Sequence, residues 1–121
     1  MPRLRFLKEA YEDYLALDGS QKKWVRAALE RLEIRGAEIG ESLGNHEVAN
    51  LHGYKKLKNR KLGLRIIFRE NKADEIEVIE IIVIGKRADM DVYRIAGKRV
   101  QTISDTFAEL ARWINRISPK E

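Results

Sequence analysis

Between residues 76 and 84 the sequence reads IEVIEIIVI, seven β-branched aliphatic residues in nine positions. No other stretch restricts the fold as much. A run this short and this rich in Ile and Val predicts a strand, here over 75–84, and apolar residues on both of its faces place it inside a sheet with material packed above and below. Strict alternation puts Ile76, Val78, Ile82 and Ile84 on one face and Ile79, Ile81 and Val83 on the other. With 121 residues, 44% of them apolar, the chain fills one core of modest size, so a single domain over 1–121 is expected.

The first half supplies helices. In 7–17, Leu7, Tyr11, Tyr14 and Leu15 share one side while Lys8, Glu9, Glu12 and Asp13 face outward. Asp18-Gly19 stops that helix, and Ser20 is placed to cap a second over 21–36, which carries Trp24, Ala28 and Leu32 at four-residue spacing. A turn this short makes the two helices an antiparallel pair. Residues 3–6 allow a short strand ahead of them. Four of the eight glycines fall in 36–53, which reads as a flexible connection. The period then switches to two, giving a hairpin of 54–58 and 63–69 before the apolar strand, with Asn71 and Lys72 near the next turn. After Gly85 a helix resumes through Val92, Ala96 and Val100, with a break near Ser104 and an extra amphipathic C-terminal helix within 100–121, its apolar side including Trp113 and Ile117. The order ααβββα indicates an α+β fold: an N-terminal helical hairpin packed on a small antiparallel sheet, with a C-terminal helix.

Charge narrows the chemistry. The chain carries a net +5, yet residues 53–69 alone hold Lys55, Lys56, Lys58, Arg60, Lys61, Arg65 and Arg69 with no acid, leaving a net −2 for everything else. Basicity concentrated in this way suggests a site for a polyanion rather than a general surface property. There are no cysteines, which excludes a disulfide scaffold, a thiolate metal cluster and a cysteine nucleophile. His46 and His52 are too few for a metal site, and the glycines of 36–53 lack the order of a phosphate loop, so neither metal nor cofactor is expected. The opening MPRLRFLKEA has no apolar segment of signal-peptide length, and no uncharged run approaches the roughly 18 residues of a membrane span, so a cytoplasmic protein is expected.

On the hairpin, alternation sorts Leu57, Leu64, Ile66 and Phe68 to a core face and Lys56, Lys58, Arg65 and Arg69 to an open one. A turn at Asn59–Leu62 sets Lys58 opposite Gly63 and Lys56 opposite Arg65. Cations this close repel, and a bound polyanion relieves that repulsion. Crowding also disfavours the charged form of a lysine, which is how a lysine becomes a general base near neutral pH. A second basic segment, Gly85-Lys86-Arg87, ends the apolar strand, and Tyr93 follows in the first turn of a helix. Arginine offers a planar fork to phosphate oxygens, and a tyrosine ring either stacks on a base or packs the helix onto the sheet.

The pattern Lys56-Leu57-Lys58, Gly63-Leu64-Arg65, Gly85-Lys86-Arg87, Tyr93 resembles the RelE/ParE superfamily of toxins from type II toxin–antitoxin systems, and most of all its RelE branch, over about residues 3–99. His52 stands where an arginine is often found. The resemblance implies a RelE-like fold and a ribosome-dependent mRNA endonuclease that binds the small subunit and inhibits translation by cutting mRNA in the A site. By position, Lys58 is the implied base, Lys56 and Arg65 stabilise developing negative charge, Arg87 holds the phosphate and assists the leaving oxygen, and Tyr93 stacks on an mRNA base. Lys55, Arg60, Lys61, Arg69 and Lys86 are the further cations expected to bind substrate. The implied partners are mRNA, the ribosomal small subunit and a cognate antitoxin whose acidic or amphipathic segment wraps the basic face, with operator DNA reached only through the antitoxin and no membrane. The ParE branch, whose members poison DNA gyrase, generally lacks this basic set. A non-catalytic corepressor that binds antitoxin is the remaining alternative.

Overall fold

The computed structural model describes residues 2–46, 49–73, 76–86 and 89–101. The extra C-terminal helix expected within 100–121, including Trp113 and Ile117, and the candidate Arg87 lie outside the described residues. Strand β1 (Arg3–Phe6) leads into helices α1 (Lys8–Leu15) and α2 (Gly19–Arg35), then a short 3-10 turn and the brief strands β2 (Glu41–Ser42), β3 (Asn45–His46) and β4 (Ala49–Asn50). Three longer strands follow, β5 (Tyr54–Asn59), β6 (Leu64–Ala73) and β7 (Ile76–Gly85), and then helix α3 (Asp89–Gln101). The result is the expected α+β architecture with the helical hairpin first among its helices. β1 does form, and it joins the sheet, whose order is β1-β7-β6-β5-β2. Every neighbouring pair is antiparallel except β1 and β7, which run parallel.

Three local expectations shift. The cap of α2 is Asp18, not Ser20: Gln21 N–H donates to the Asp18 carboxylate at 2.9 Å while Asp18 N–H donates to Gln21 Oε1 at 3.0 Å, and Ser20 Oγ donates to the same carboxylate. The Gln21 N–H holds the Asp18 carboxyl below its ordinary range. The connection after α2 carries a 3-10 turn and short strands rather than free coil. The hairpin turns at Arg60–Gly63, so Lys58 pairs with Arg65 and Lys56 with Ile67, two residues away from the expected register. Asn59 and Gly63 account for this: Leu62 N–H donates to Asn59 Oδ1 at 3.0 Å, and Gly63 takes φ +68°, a left-handed conformation that favours glycine.

Because that shift is even, it leaves the faces of β5 and β6 unchanged. In β7 the faces do change. The β6–β7 register steps from Ile67↔Val83 to Phe68↔Ile81, so Ile82 is an extra residue. A bulge of this kind reverses alternation, and Ile84 joins Ile79 and Ile81 while Val83 joins Val78.

One sheet face, with Phe6, Ile66, Phe68 and Ile81, shares the core with the buried residues of α1 and α2, and the segment after α2 packs on it at Phe68. Gly40 marks how closely they approach: a Cβ there would collide with Phe68 Cζ and lie 3.1 Å from Lys55 Cβ. Gly40→Ala is therefore expected to cost about 1–3 kcal/mol by overpacking, read as a lower urea midpoint. An unchanged midpoint would contradict this packing. Helix α3 lies on the opposite face, with Val92 against Gly85 and Tyr93 against Lys56.

β1 ends before β7 does, and side chains continue its edge. Leu7 N–H still reaches Ile81 O, but Ile84 N–H donates to Asp13 Oδ2 at 3.0 Å and Arg99 donates to Ile82 O at 3.0 Å. Arg99 also grips Asp13 in a two-pronged ion pair at 2.7 and 3.2 Å, so α1, α3 and β7 are tied at one point. Both side chains are mostly buried. Asp13→Ala leaves a backbone N–H and a guanidinium without this acceptor and should destabilise the fold by about 2–3 kcal/mol in urea unfolding. A loss under about 1 kcal/mol would show the tie to be dispensable. No helix among the described residues is long and apolar enough to cross a membrane.

Candidate phosphate-binding site

The face of the sheet under α3 is laid out in cross-strand rows. Residues directly opposite in neighbouring strands share a face, with Cβ atoms roughly 4.5–5.5 Å apart in an antiparallel pair. The first row is Gly85–Arg65–Lys58, the second Val83–Ile67–Lys56–Glu41, and the third Arg5–Glu80–Arg69–Tyr54. Lys58 and Arg65 thus stand side by side on rigid strands at the hairpin end, with Lys56 one row further in. Two like charges in register concentrate positive potential at one point of the sheet, which favours an anion there. Arg65 donates from one nitrogen to Gly63 O at 3.1 Å, which keeps its guanidinium near the turn.

Lys56 is the best defined of the cations. Its ammonium donates to the Tyr93 hydroxyl at 3.0 Å, lies 5.7 Å from the centre of that ring, and is 3.7 Å from Glu41 Oε1. The Lys56 side chain is 12% exposed, whereas Glu41 is 72% exposed on the short edge strand. Tyr93 is 3% exposed, with its neighbours Val92 and Ala96 on α3 fully buried. The ring is therefore part of the helix–sheet packing, and its hydroxyl joins the α3 segment to the hairpin.

The third row is an internal ion network. Arg69 Nε donates to Glu80 Oε1, and a second Arg69 nitrogen donates to Tyr54 OH at 3.1 Å. Burial opposes the Arg69 charge, but Glu80 and then Tyr54 outweigh it and hold the guanidinium above its ordinary value. Glu80 is 1% exposed, and its Oε2 and the Nε of its register neighbour Arg5 are buried without hydrogen-bond partners among the described residues. Arg69 is thus engaged within the fold. Lys55, by alternation, faces the other side and donates to Ala37 O at 3.0 Å, away from Lys56 and Lys58. Arg60 and Lys61 are exposed on the turn, and Lys86 is exposed just past β7. Arg87 lies outside the described residues; β7 ends at Gly85, opposite Arg65.

Sequence reasoning missed Glu41, Tyr54 and Glu80. Glu80 left a signal: a carboxylate in a strand covered on both faces requires a buried cation. Glu41 left none, since its contact depends on where the glycine-rich connection lays a two-residue strand. No group of three or more His, Asp or Glu side chains able to hold a metal ion occurs among the described residues.

Two solved structures are similar to this chain over most of its length. The toxin RelE of E. coli, in a free-state variant with two arginines replaced by alanine, is 25% identical, with 81% of this chain and 96% of that one covered and a TM-score of 0.59. A crystal structure of the isolated E. coli RelE toxin is 26% identical, with 81% and 97% covered and a TM-score of 0.54. No protein-family model matches the sequence, and no curated protein matches it.

Proposed function

We propose that this chain, a RelE-like toxin by its fold and by its likeness to the E. coli protein, is a ribosome-dependent endoribonuclease that cuts mRNA in the decoding site of the small subunit. The observation that carries this reading is the Lys58–Arg65 pair with Lys56 in the next row, three cations fixed on one sheet face with a tyrosine of α3 on the innermost. Such a face suits a scissile phosphate, because the charge that develops in the reaction meets donors already in place.

The reaction needs no cofactor. The ribose 2′-oxygen gives up its proton and attacks the adjacent phosphorus, the bond from phosphorus to the 5′-oxygen breaks, and that oxygen takes a proton. The products are a 2′,3′-cyclic phosphate and a 5′-hydroxyl. Lys58 is assigned the first proton transfer, taking the 2′-hydroxyl proton. Arg65 and Lys56 stabilise the pentacoordinate phosphorus and its equatorial oxygens. Arg87, two residues beyond β7, is assigned to the phosphate and the leaving oxygen by the family resemblance. The exposed Arg60, Lys61 and Lys86 extend the same positive potential outward to the RNA backbone. An antitoxin that silences this face has to present acidic side chains to it, and the proposed setting is the cytoplasm.

The test is primer extension on ribosome-programmed mRNA with purified protein. Cuts within the A-site codon, absent when ribosomes are omitted, support the proposal. Intact mRNA together with relaxed or broken plasmid DNA in a gyrase assay would transfer the chain to the ParE-type reading. Neither effect, with antitoxin still bound, would leave a corepressor.

A further inference from the structure

We infer that Glu41 is a specificity-determining residue of the basic face, an internal anion that a nucleic-acid phosphate has to displace from Lys56. The inference deepens the nuclease reading above and rests on its cation face, not on cleavage itself. Three observations lead to it. β2 and β5 pair Glu41 directly opposite Lys56, so both side chains leave the sheet on the side that also carries Lys58 and Arg65. Glu41 Oε1 lies 3.7 Å from Lys56 Nζ. The backbone around Glu41 is fixed on both sides: Gly40 has no room for a Cβ between Phe68 and Lys55, and Leu43 N–H donates to Tyr54 O at 2.8 Å. Residues 53–69 hold no acid of their own, so this carboxylate is brought to the face from a separate segment.

The two members of this pair are unlike. The Lys56 side chain is 12% exposed and that of Glu41 is 72% exposed, so the lysine is held on the face while the carboxylate sits on an arm that can swing into water. An ion pair with one member so exposed is weak, because water solvates the carboxylate nearly as well outside the pair. That weakness makes it displaceable. At 3.7 Å the carboxylate is beyond the length of a charge-assisted hydrogen bond, whereas a phosphate set between the rows meets Lys56, Lys58 and Arg65 together. Until a phosphate arrives, Glu41 opposes any other anion at Lys56. A strand drawn in by charge alone meets this opposition in full. A strand already held against the face by other contacts presents its phosphate at high effective concentration and displaces the carboxylate readily. Glu41 thus selects RNA that is positioned over RNA that is merely nearby.

Glu41→Gln removes the charge and keeps the size of the side chain, and circular dichroism melting checks that the variant folds. The probe is a fluorescently labelled 2′-O-methyl oligoribonucleotide, which cannot be cut by attack of its own 2′-oxygen, titrated with each protein at low salt and read by anisotropy. Glu41→Gln should tighten Kd about three- to fivefold, and the gain should shrink below about twofold at high salt, where exposed charges are screened. In a Lys56→Met background the same change should alter Kd by less than about twofold, since the cation that Glu41 occupies is gone. The control is Glu38→Gln, which removes an acid that is 69% exposed and 3.7 Å from Arg35, on the turn whose Ala37 O accepts from Lys55 on the other sheet face. It should shift Kd by less than about twofold. A Glu41→Gln protein with unaltered Kd, with a gain no larger than that of Glu38→Gln, or with the same gain in the absence of Lys56 overturns the inference. Weaker binding by Glu41→Gln also overturns it, because the carboxylate would then organise Lys56 for RNA. A probe that binds neither protein overturns it as well, since no anion then competes with Glu41. If the unaltered protein binds the probe but leaves ribosome-bound mRNA whole, the nuclease reading fails, and the Kd comparison still decides the role of Glu41.

Discussion

Glu80→Ala is expected to destabilise the protein by about 3 kcal/mol or more, the largest stability effect of any single substitution argued from this structure. Glu80 is 1% exposed at the centre of the third row, with Arg69 bonded to one oxygen and Arg5 as its register neighbour on the other side. Removing the carboxylate leaves two guanidinium groups across one vacated position. Arg69 keeps Tyr54 as a partner and is 25% exposed, so water recovers part of the loss, which is why the figure sits at the lower end for a broken buried pair. The control is Glu80→Leu with Arg69→Met, which replaces both members by apolar groups of similar length. That double variant should recover most of the lost stability, because the cost comes from the stranded charge and not from the absence of the pair. Urea unfolding of the single and double variants measures both. A single variant within about 1 kcal/mol of the unaltered protein would show that Glu80 is neutralised by something other than this network.

The same residue shows why the sequence revealed faces better than it revealed contacts. Lys56, Lys58, Arg65 and Arg69 fall on one side by parity alone, and the parity held although the hairpin register was displaced, because an even displacement returns every side chain to its own face. β7 had no such protection. Both of its faces are apolar, so the extra residue at Ile82 changes which isoleucines pair without exposing any of them, and no composition signal marks the bulge. Glu80 pairs with a residue 11 positions away on one side and faces one 75 positions away on the other, distances only strand order resolves. Tyr93 was legible as a residue of the helix after Gly85, but whether its ring met solvent or sheet depended on the roll of α3. The tie between Asp13, Arg99 and the β7 edge had no local signature, since it exists only because β1 stops short.

Lys58→Met is expected to lower A-site cleavage by about 10²- to 10⁴-fold. The size of the loss depends on what Lys58 does, and Lys58→Arg tells the alternatives apart. Arginine keeps the positive charge but stays protonated at any pH a ribosome survives, so it cannot accept the 2′-hydroxyl proton. If Lys58 is the base, Lys58→Arg is as inactive as Lys58→Met. If Lys58 serves only as a cation, Lys58→Arg recovers most of the activity. The measurement is single-turnover cleavage on programmed ribosomes, with unfolding curves for each variant. A Lys58→Met protein that cleaves at the unaltered rate would remove this sheet face from the chemistry altogether.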